Sequence, residues 1–511
     1  MPIPASRRIG RRRGRCALLA IAGLTAVTAC SSAPPPPSAL EQNGGSTGGA
    51  VAGGTTGTTG SAAAAPGAAA TTGPVAAGST GATTFTKNGA TVTTTTRGGK
   101  TVTTTTRGGT TTTTVAGPPT NANGSHLFRP DEERIGLTNT SLTMCAHAAL
   151  TYGQAFGTKD TDFNVFWQAL NTEKNGIYGR KVTVTYENDD YKPTTAVDAA
   201  TKCKAKGIFM LLGGIGFDQI PAVRNWAEQN RMLYVHHTAT IEGTRGQRFS
   251  FSELPTVERT GEAFAQLAGA KYKGKRIGII ERDSSNWTPG VKAFRKVAAK
   301  YGLNIVADTK VANNKGSYTD DLLTMKNANV DVVWAWMNAL ESTELLKQAK
   351  SQQFNPHWLL FPFNLTSQTL GSDAMNPPLD GVAMYPAYSK GDYSGGFASY
   401  ADDVREFERQ YAKYDSGIDL GGIGGDLLFL NWVGQKALYV QLMQCGKDCT
   451  RDKFIDVMRS YNKDQRPSSS SCPINFSGDG FHGSDSLNFM ETYNSPSGKV
   501  NWRTTQLCVR P

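Results

Sequence analysis

From about residue 134 onward, two hydrophobic periods take turns along the chain. The clearest case runs from Asn175 to Gly216. Asn175-Gly176-Ile177-Tyr178-Gly179-Arg180-Lys181 reads as a turn. Val182, Val184 and Tyr186 then alternate with Thr183 and Thr185, which is the period of a strand. Ala196, Val197, Ala200 and Cys203 recur at helical spacing within 194–206. A short apolar run at 208–212 has the character of a fully buried parallel strand, and Gly213-Gly214-Ile215-Gly216 ends it. Strand, helix, buried strand and glycine loop make a right-handed crossover unit. Ligands of such sheets lie beyond the carboxyl ends of the strands. The loop holding Gly214, Ile215 and Gly216 is therefore the first candidate ligand contact.

The same reading predicts a strand at 134–137, a loop carrying Cys145, and an amphipathic helix around 162–171. After the central unit come a helix at 220–230, a strand at 232–235 and the loop His236-His237-Thr238-Ala239-Thr240. A short strand at 249–252 leads out of the first lobe. The alternation then restarts. Helices are expected at 260–271, 290–301, 319–327 and 341–352, interleaved with strands at 276–280, 305–309, 330–336 and 358–361. A strand at 382–385 follows, then helices at 400–413, 425–444 and 451–460. Segments 487–493 and 499–506 read as a hairpin closed by Asn494-Ser495-Pro496-Ser497-Gly498. The expected class is α/β, with two doubly wound, Rossmann-like units.

Composition changes the picture at the start of the chain. Arg7, Arg8, Arg11, Arg12, Arg13 and Arg15 precede a short apolar core over 17–27, too short to span a bilayer permanently. Residues 1–29 read as a signal peptide. Leu24-Thr25-Ala26-Val27-Thr28-Ala29-Cys30 resembles the lipobox of bacterial lipoproteins, which implies cleavage before Cys30 and lipid on that cysteine. The expected location is exported and lipid-anchored to the outer face of the bacterial cell membrane. Residues 30–125 are rich in Pro, Gly, Ala and Thr, and the nonamer Thr-Val-Thr-Thr-Thr-Thr-Arg-Gly-Gly occurs at both 91–99 and 101–109. With almost nothing apolar to bury, this stretch reads as a disordered tether.

The net charge of +11 belongs largely to these segments. The signal holds six arginines and the tether a net three positive charges, which leaves two for 126–511. That is no nucleic-acid footprint.

Six cysteines follow Cys30: Cys145, Cys203, Cys445, Cys449, Cys472 and Cys508. An even number in an exported chain favours disulfides, and many pairings are open. The expected set is Cys445–Cys449, Cys472–Cys508 and Cys145–Cys203. The histidines do not fall at metal-ligand spacing from them, so no metal and no cofactor is expected. Enzyme signatures are poor. Gly44-Gly45-Ser46-Thr47-Gly48 mimics a nucleophile elbow without its strand and helix. The near phosphate loop at 269–275 precedes its strand and lacks the final Ser or Thr. His236-His237 ends a strand where a base can act, but no nucleophile is placed beside it, so a pocket or structural role is expected. Trp334, Trp336 and Phe361 read as core, while Trp287 and Phe363 fall in loops after strands and are candidates for a cleft.

Laid out this way, residues 132 to 510 resemble the type I periplasmic-binding-protein family. The nearer likeness is to the branched-chain amino-acid (leucine-binding) group of ABC-transporter substrate-binding lipoproteins. The resemblance rests on Asn175-Gly-Ile-Tyr-Gly-Arg-Lys181 with its acid-ended strand, Thr238-Ala239-Thr240, Ile277-Gly-Ile-Ile-Glu-Arg-Asp283 and Leu345-Leu-Lys-Gln-Ala349. It implies a Venus-flytrap of two lobes joined by a hinge: 132–254 with about 392–466, and about 255–391 with 467–511. It implies a protein that is no enzyme and that captures a small-molecule solute for ABC permease subunits. A ligand sensor on the same fold is the alternative, and a secreted hydrolase a remote one. The ligand loops carried over are Tyr152, Gly214 to Phe217, Thr238 to Thr240, Trp287, Phe363 and Asn364. No acid lies near 361–364 to meet an α-ammonium, so the resemblance points to a neutral or apolar acid, amide or ring compound.

Overall fold

The computed structural model describes the backbone of four strands between 82 and 116. It also describes residues 127–511, apart from 155–156, 215–217, 238–239, 314, 363–376, 423, 462–464 and 477–482. The four strands, β1 (Ala82–Lys87), β2 (Ala90–Arg97), β3 (Lys100–Arg107) and β4 (Thr110–Ala116), form an antiparallel sheet in sequence order. This corrects the expectation of a tether without regular structure over that stretch. Threonine is β-branched and fits a pleated surface. Pairing runs up to Lys87↔Ala90, Arg97↔Lys100 and Arg107↔Thr110. The residues between are Asn-Gly, Gly-Gly and Gly-Gly, the strongest short hairpin signal a sequence carries. The low hydrophobicity of the stretch masks that signal. The signal segment, Cys30 and the rest of the tether lie outside the described residues.

The first lobe is built on five parallel strands: β5 (Ser141–Ala148), β6 (Lys181–Asn188), β7 (Met210–Gly213), β8 (Tyr234–His236) and β9 (Ser250–Ser252). Their order is β6-β5-β7-β8-β9. The second lobe holds β10 (Arg276–Arg282), β11 (Asn304–Val311), β12 (Val332–Trp336), β13 (His357–Leu360), β14 (Asp380–Ala383), β15 (Leu487–Asn494) and β16 (Val500–Val509). Their order is β11-β10-β12-β13-β14-β15-β16, parallel up to β14 and antiparallel for the last two. Two α/β lobes result, as the alternating periods predict.

One strand was misplaced. Residues 134–136 are turn, Leu137 makes only an isolated bridge to Leu142, and the real first strand is β5, where a loop was expected around Cys145. β5 sits between β6 and β7 and is buried on both faces. Ser, Thr, Cys and His break up its apolar run, so periodicity does not reveal it.

The chain passes between the lobes three times. Helix Val257–Tyr272 follows β9 into the second lobe. After β14 the chain returns through 384–400 to helices Ala401–Tyr414, Gly425–Cys445 and Arg451–Ser460. These pack on the first lobe. Tyr411 donates to the carbonyl of Asp162, Gln435 to that of Phe163, and Arg451 to those of Ile208 and Phe209. The third passage, from 461 to 486, ends in β15. Helix Gly425–Cys445 is apolar around most of its girth, as a helix buried between other elements must be.

The three disulfides are those expected: Cys145–Cys203, Cys445–Cys449 and Cys472–Cys508, with Cα atoms 5.5, 5.1 and 5.3 Å apart. No described helix is long and apolar enough to cross a membrane.

Candidate functional site

A cleft of about 1070 Å³, its open mouth included, lies between the lobes. The first lobe contributes Gly214 and His237 from strand ends, and Leu420, Leu427, Leu430 and Asn431 from the start of the long helix and the loop before it. The second contributes Phe361 and Pro362 after β13, Met490 of β15 and Trp502 of β16. Residues 383–390, from the second passage between the lobes, form much of the wall. Most of these side chains are apolar or aromatic. The polar ones are few: His237, Ser389, Lys390, Asp426, Asn431 and Asn501. This composition suits a solute with an apolar body and few polar groups.

Among the described residues, Gly214 is the one member of the sequence-predicted ligand set that the structure brings to this wall. Gly214 is anchored from beneath. The Gly214 N–H donates to the carbonyl of His147 at 2.8 Å, and a Cβ on Gly214 would meet that of Ala148 at 2.6 Å. His147 is itself fixed, with Nδ1 2.8 Å from Asp189 Oδ2 and Nε2 2.7 Å from the Tyr234 hydroxyl. Gln219 donates to both oxygens of Asp189. This network is wholly buried, and burial drives the Tyr234 phenol well above its ordinary pKa, so it stays neutral.

The other expected residues fall elsewhere. Trp287 is in the second-lobe core, edge-on to Trp336 with centroids 4.9 Å apart, and its carbonyl accepts the Trp336 indole N–H at 2.8 Å. As the residue before helix Thr288–Ala298 it follows β10, which made it look like a cleft residue. Its ring instead turns into the gap beside Trp336. Thr240 caps the short helix Ile241–Thr244, its hydroxyl oxygen accepting the Gly243 N–H at 2.9 Å. Tyr152 packs on Tyr191, with centroids 5.3 Å apart. Neither lines the cleft. Ile215, Gly216, Phe217, Thr238, Ala239, Phe363 and Asn364 lie outside the described residues.

Sequence reasoning named none of the wall between 383 and 390, nor 420–431, Met490 or Trp502. Their signal was weak: a Tyr-Pro-Ala-Tyr run after a strand, and a glycine-rich run before an apolar helix. Asp426 also brings a carboxylate to the wall that the loop-by-loop reading did not anticipate. His237 does reach the cleft, as its strand-end position suggested. Burial, with the nearby His147, lowers its imidazole to about 4, so it presents a neutral ring at pH 7.

The lobes also touch beside the cleft. Asp218, just past the Gly214 loop, pairs with Arg282 at the end of β10 at 3.0 Å. It also accepts hydrogen bonds from Ser284 and Asn286.

Comparison with known proteins agrees with this geometry. The family model described as periplasmic binding protein matches residues 164–495. A curated relative, the Leu/Ile/Val-binding protein BraC3 of Rhizobium johnstonii, is 24% identical over 164 residues. That match spans 32% of this chain and 45% of the relative, so the chain aligns with less than half of that protein's length. Among solved structures, a fatty acid ABC transporter substrate-binding protein from Thermomonospora curvata superposes with a TM-score of 0.58 at 14% identity, covering 77% of this chain and 97% of its own. A branched-chain amino acid ABC transporter protein from Thermus thermophilus with bound valine gives 0.59 at 14% identity, covering 73% and 98%. A solute-binding protein from Rhodopseudomonas palustris in complex with 3,4-dihydroxybenzoic acid gives 0.56 at 15%, covering 73% and 99%. At these identities the structures speak for the fold. The model match spans well over half the chain, and with two α/β lobes around an interlobe cleft it leads to one conclusion: this chain belongs to the periplasmic binding protein family, whose members bind solutes and are not enzymes.

Proposed function

We propose that the protein is a lipid-anchored solute receptor of an ABC importer, and that its solute is a carboxylic acid with an apolar or aromatic body. The observation that carries this reading is the cleft itself, walled by apolar side chains from both lobes with a few polar groups among them. A solute touching both walls stabilises the closed form, and permease subunits encoded elsewhere would recognise that form. Valine, a fatty acid and dihydroxybenzoate, named for the similar structures, share a carboxylate on an apolar or aromatic frame. Trp502 lines the cleft, and its buried indole N–H, which makes no hydrogen bond among the described residues, is the donor we assign to such a group. The lobes are taken as 132–254 with about 392–466 and 255–391 with 467–511, and lipid on Cys30 holds the whole at the membrane.

Titration calorimetry against a panel of branched-chain amino acids, aromatic acids, fatty acids and sugars tests the solute class. One of the apolar acids is expected to bind. Trp502→Phe keeps the ring but loses the donor and is expected to weaken that acid by about 1 kcal/mol. Binding confined to sugars would overturn the reading. For the anchor, Cys30→Ala is expected to leave unprocessed or released protein on membrane fractionation, and unchanged retention would refute lipidation at that residue.

A further inference from the structure

The four-stranded sheet that precedes the lobes in the chain ends on two open edges. In the order β1-β2-β3-β4 each outer strand has a neighbour on one side only, and among the described residues no strand pairs with the free side of either. An open edge is a row of unpaired backbone N–H and C=O groups, a template for pairing with another chain.

The two edges are not alike. β1, Ala-Thr-Thr-Phe-Thr-Lys, ends in Lys87, a charge of the kind that blunts edges. β4, Thr-Thr-Thr-Thr-Thr-Val-Ala, has no charge, no Pro and no Gly, and six of its seven residues are β-branched. No bulge bends it away. It pairs with β3 without a register shift from Arg107↔Thr110 to Thr101↔Ala116.

The sheet itself shows what such a strand pairs with. β2 and β3 both contain Thr-Val-Thr-Thr-Thr-Thr-Arg, and they run antiparallel from Ala90↔Arg107 to Arg97↔Lys100. The centre of the sheet is therefore one copy of a repeat laid against the other. β4 continues the same pairing, with Thr103↔Thr114, Thr104↔Thr113 and Thr105↔Thr112. Apolar residues add little. Phe85 pairs with Val92 and Val102 with Val115, and the register puts these two pairs on opposite faces. With neither face able to bury much, the sheet gains chiefly from its hydrogen-bond ladder, which lengthens with every strand added.

We propose that β4 is a homotypic docking edge, which pairs antiparallel with β4 of a second copy of this chain and joins two sheets into one of eight strands. Full overlap of the two strands sets Thr113 opposite its own equivalent, Thr112 opposite Thr114 and Thr111 opposite Val115. No charge meets a charge across that two-fold axis. The contact is isologous, so it closes at two copies and leaves both β1 strands, each with its Lys87, outermost. It does not depend on which solute fills the cleft.

Cysteine cross-linking in cells expressing the full chain tests this pairing. Directly opposed residues of antiparallel strands have Cα atoms about 4.5–5.5 Å apart, within reach of a disulfide. Thr113→Cys is expected to give a disulfide-linked dimer on a non-reducing gel after mild oxidation, while Thr84→Cys, on β1, stays monomeric. Light scattering on the purified full chain is expected to read twice the mass of one chain. Thr113→Lys sets two ammonium groups against each other and is expected to halve that mass, whereas Thr113→Ser leaves it unchanged. Thr84→Lys carries the same charge on the far edge and is expected to remain dimeric, and the cross-link decides the matter if Thr113→Lys unfolds the sheet. Cross-linking at Thr84 equal to that at Thr113, or a mass beyond two copies, would overturn the two-fold pairing in favour of an open polymer. A single-chain mass with no cross-link at Thr113 would overturn the proposal outright and leave the edge to a different partner.

Discussion

Trp287 shows how one side chain's destination is settled by its neighbours. Chain position puts it just after β10, where cleft residues gather. The ring nevertheless packs among Trp336, Phe361 and the Arg282 guanidinium, and its carbonyl is held by the Trp336 indole. Truncation therefore removes core volume, not a cleft contact. Trp287→Ala is expected to lower stability by about 3–5 kcal/mol while leaving solute affinity nearly unchanged. Chemical denaturation paired with calorimetry checks it. A large loss of affinity in a protein of normal stability would put the ring back in the cleft.

At the scale of elements, the long periodic segments were legible. Helices at 220–230, 319–327 and 451–460 stand where spacing put them. β5 was not legible, because a central strand whose His147 is satisfied by Asp189 and Tyr234 need not look apolar. The cleft was hidden for a related reason. Much of its wall comes from an irregular passage and from the approach to a buried helix, and neither has a period to read. The cysteines were legible because parity and proximity constrain them. Cys145–Cys203 fastens β5 to helix Pro193–Ala205 across 58 residues, and Cys445–Cys449 closes only four. Loop-closure entropy makes the first worth about 4 kcal/mol and the second about 2. Paired serine replacements, compared by denaturant midpoint, should preserve that order, and a larger loss at Cys445–Cys449 would contradict the entropic account.

For the whole molecule, the contact across the lobes offers the sharpest handle on closure. Asp218 meets Arg282, Ser284 and Asn286, all from the opposite lobe. Arg282 has a further carboxylate, Glu341, at 3.7 Å, so it is not stranded when Asp218 is removed. Asp218→Ala is expected to open the lobes without unfolding either. The fall in closed population should weaken solute binding by about 1 kcal/mol. Small-angle scattering without solute should show a larger radius of gyration, and an unchanged radius with unchanged affinity would mean that the pair does not govern closure.

The three passages between the lobes also bear on how the polypeptide is made. The strands of the first lobe are complete at Ser252, yet three of the helices that pack on that lobe, Ala401–Tyr414, Gly425–Cys445 and Arg451–Ser460, come only much later. The second sheet waits longer still, since β14 finds its neighbour β15 only after Leu487 has appeared. A ribosome reading from the amino end thus finishes the first lobe only after Ser460 and the second only after Val509. Chains that stop early are left with an unpaired strand edge at Asp380–Ala383, a template for aggregation.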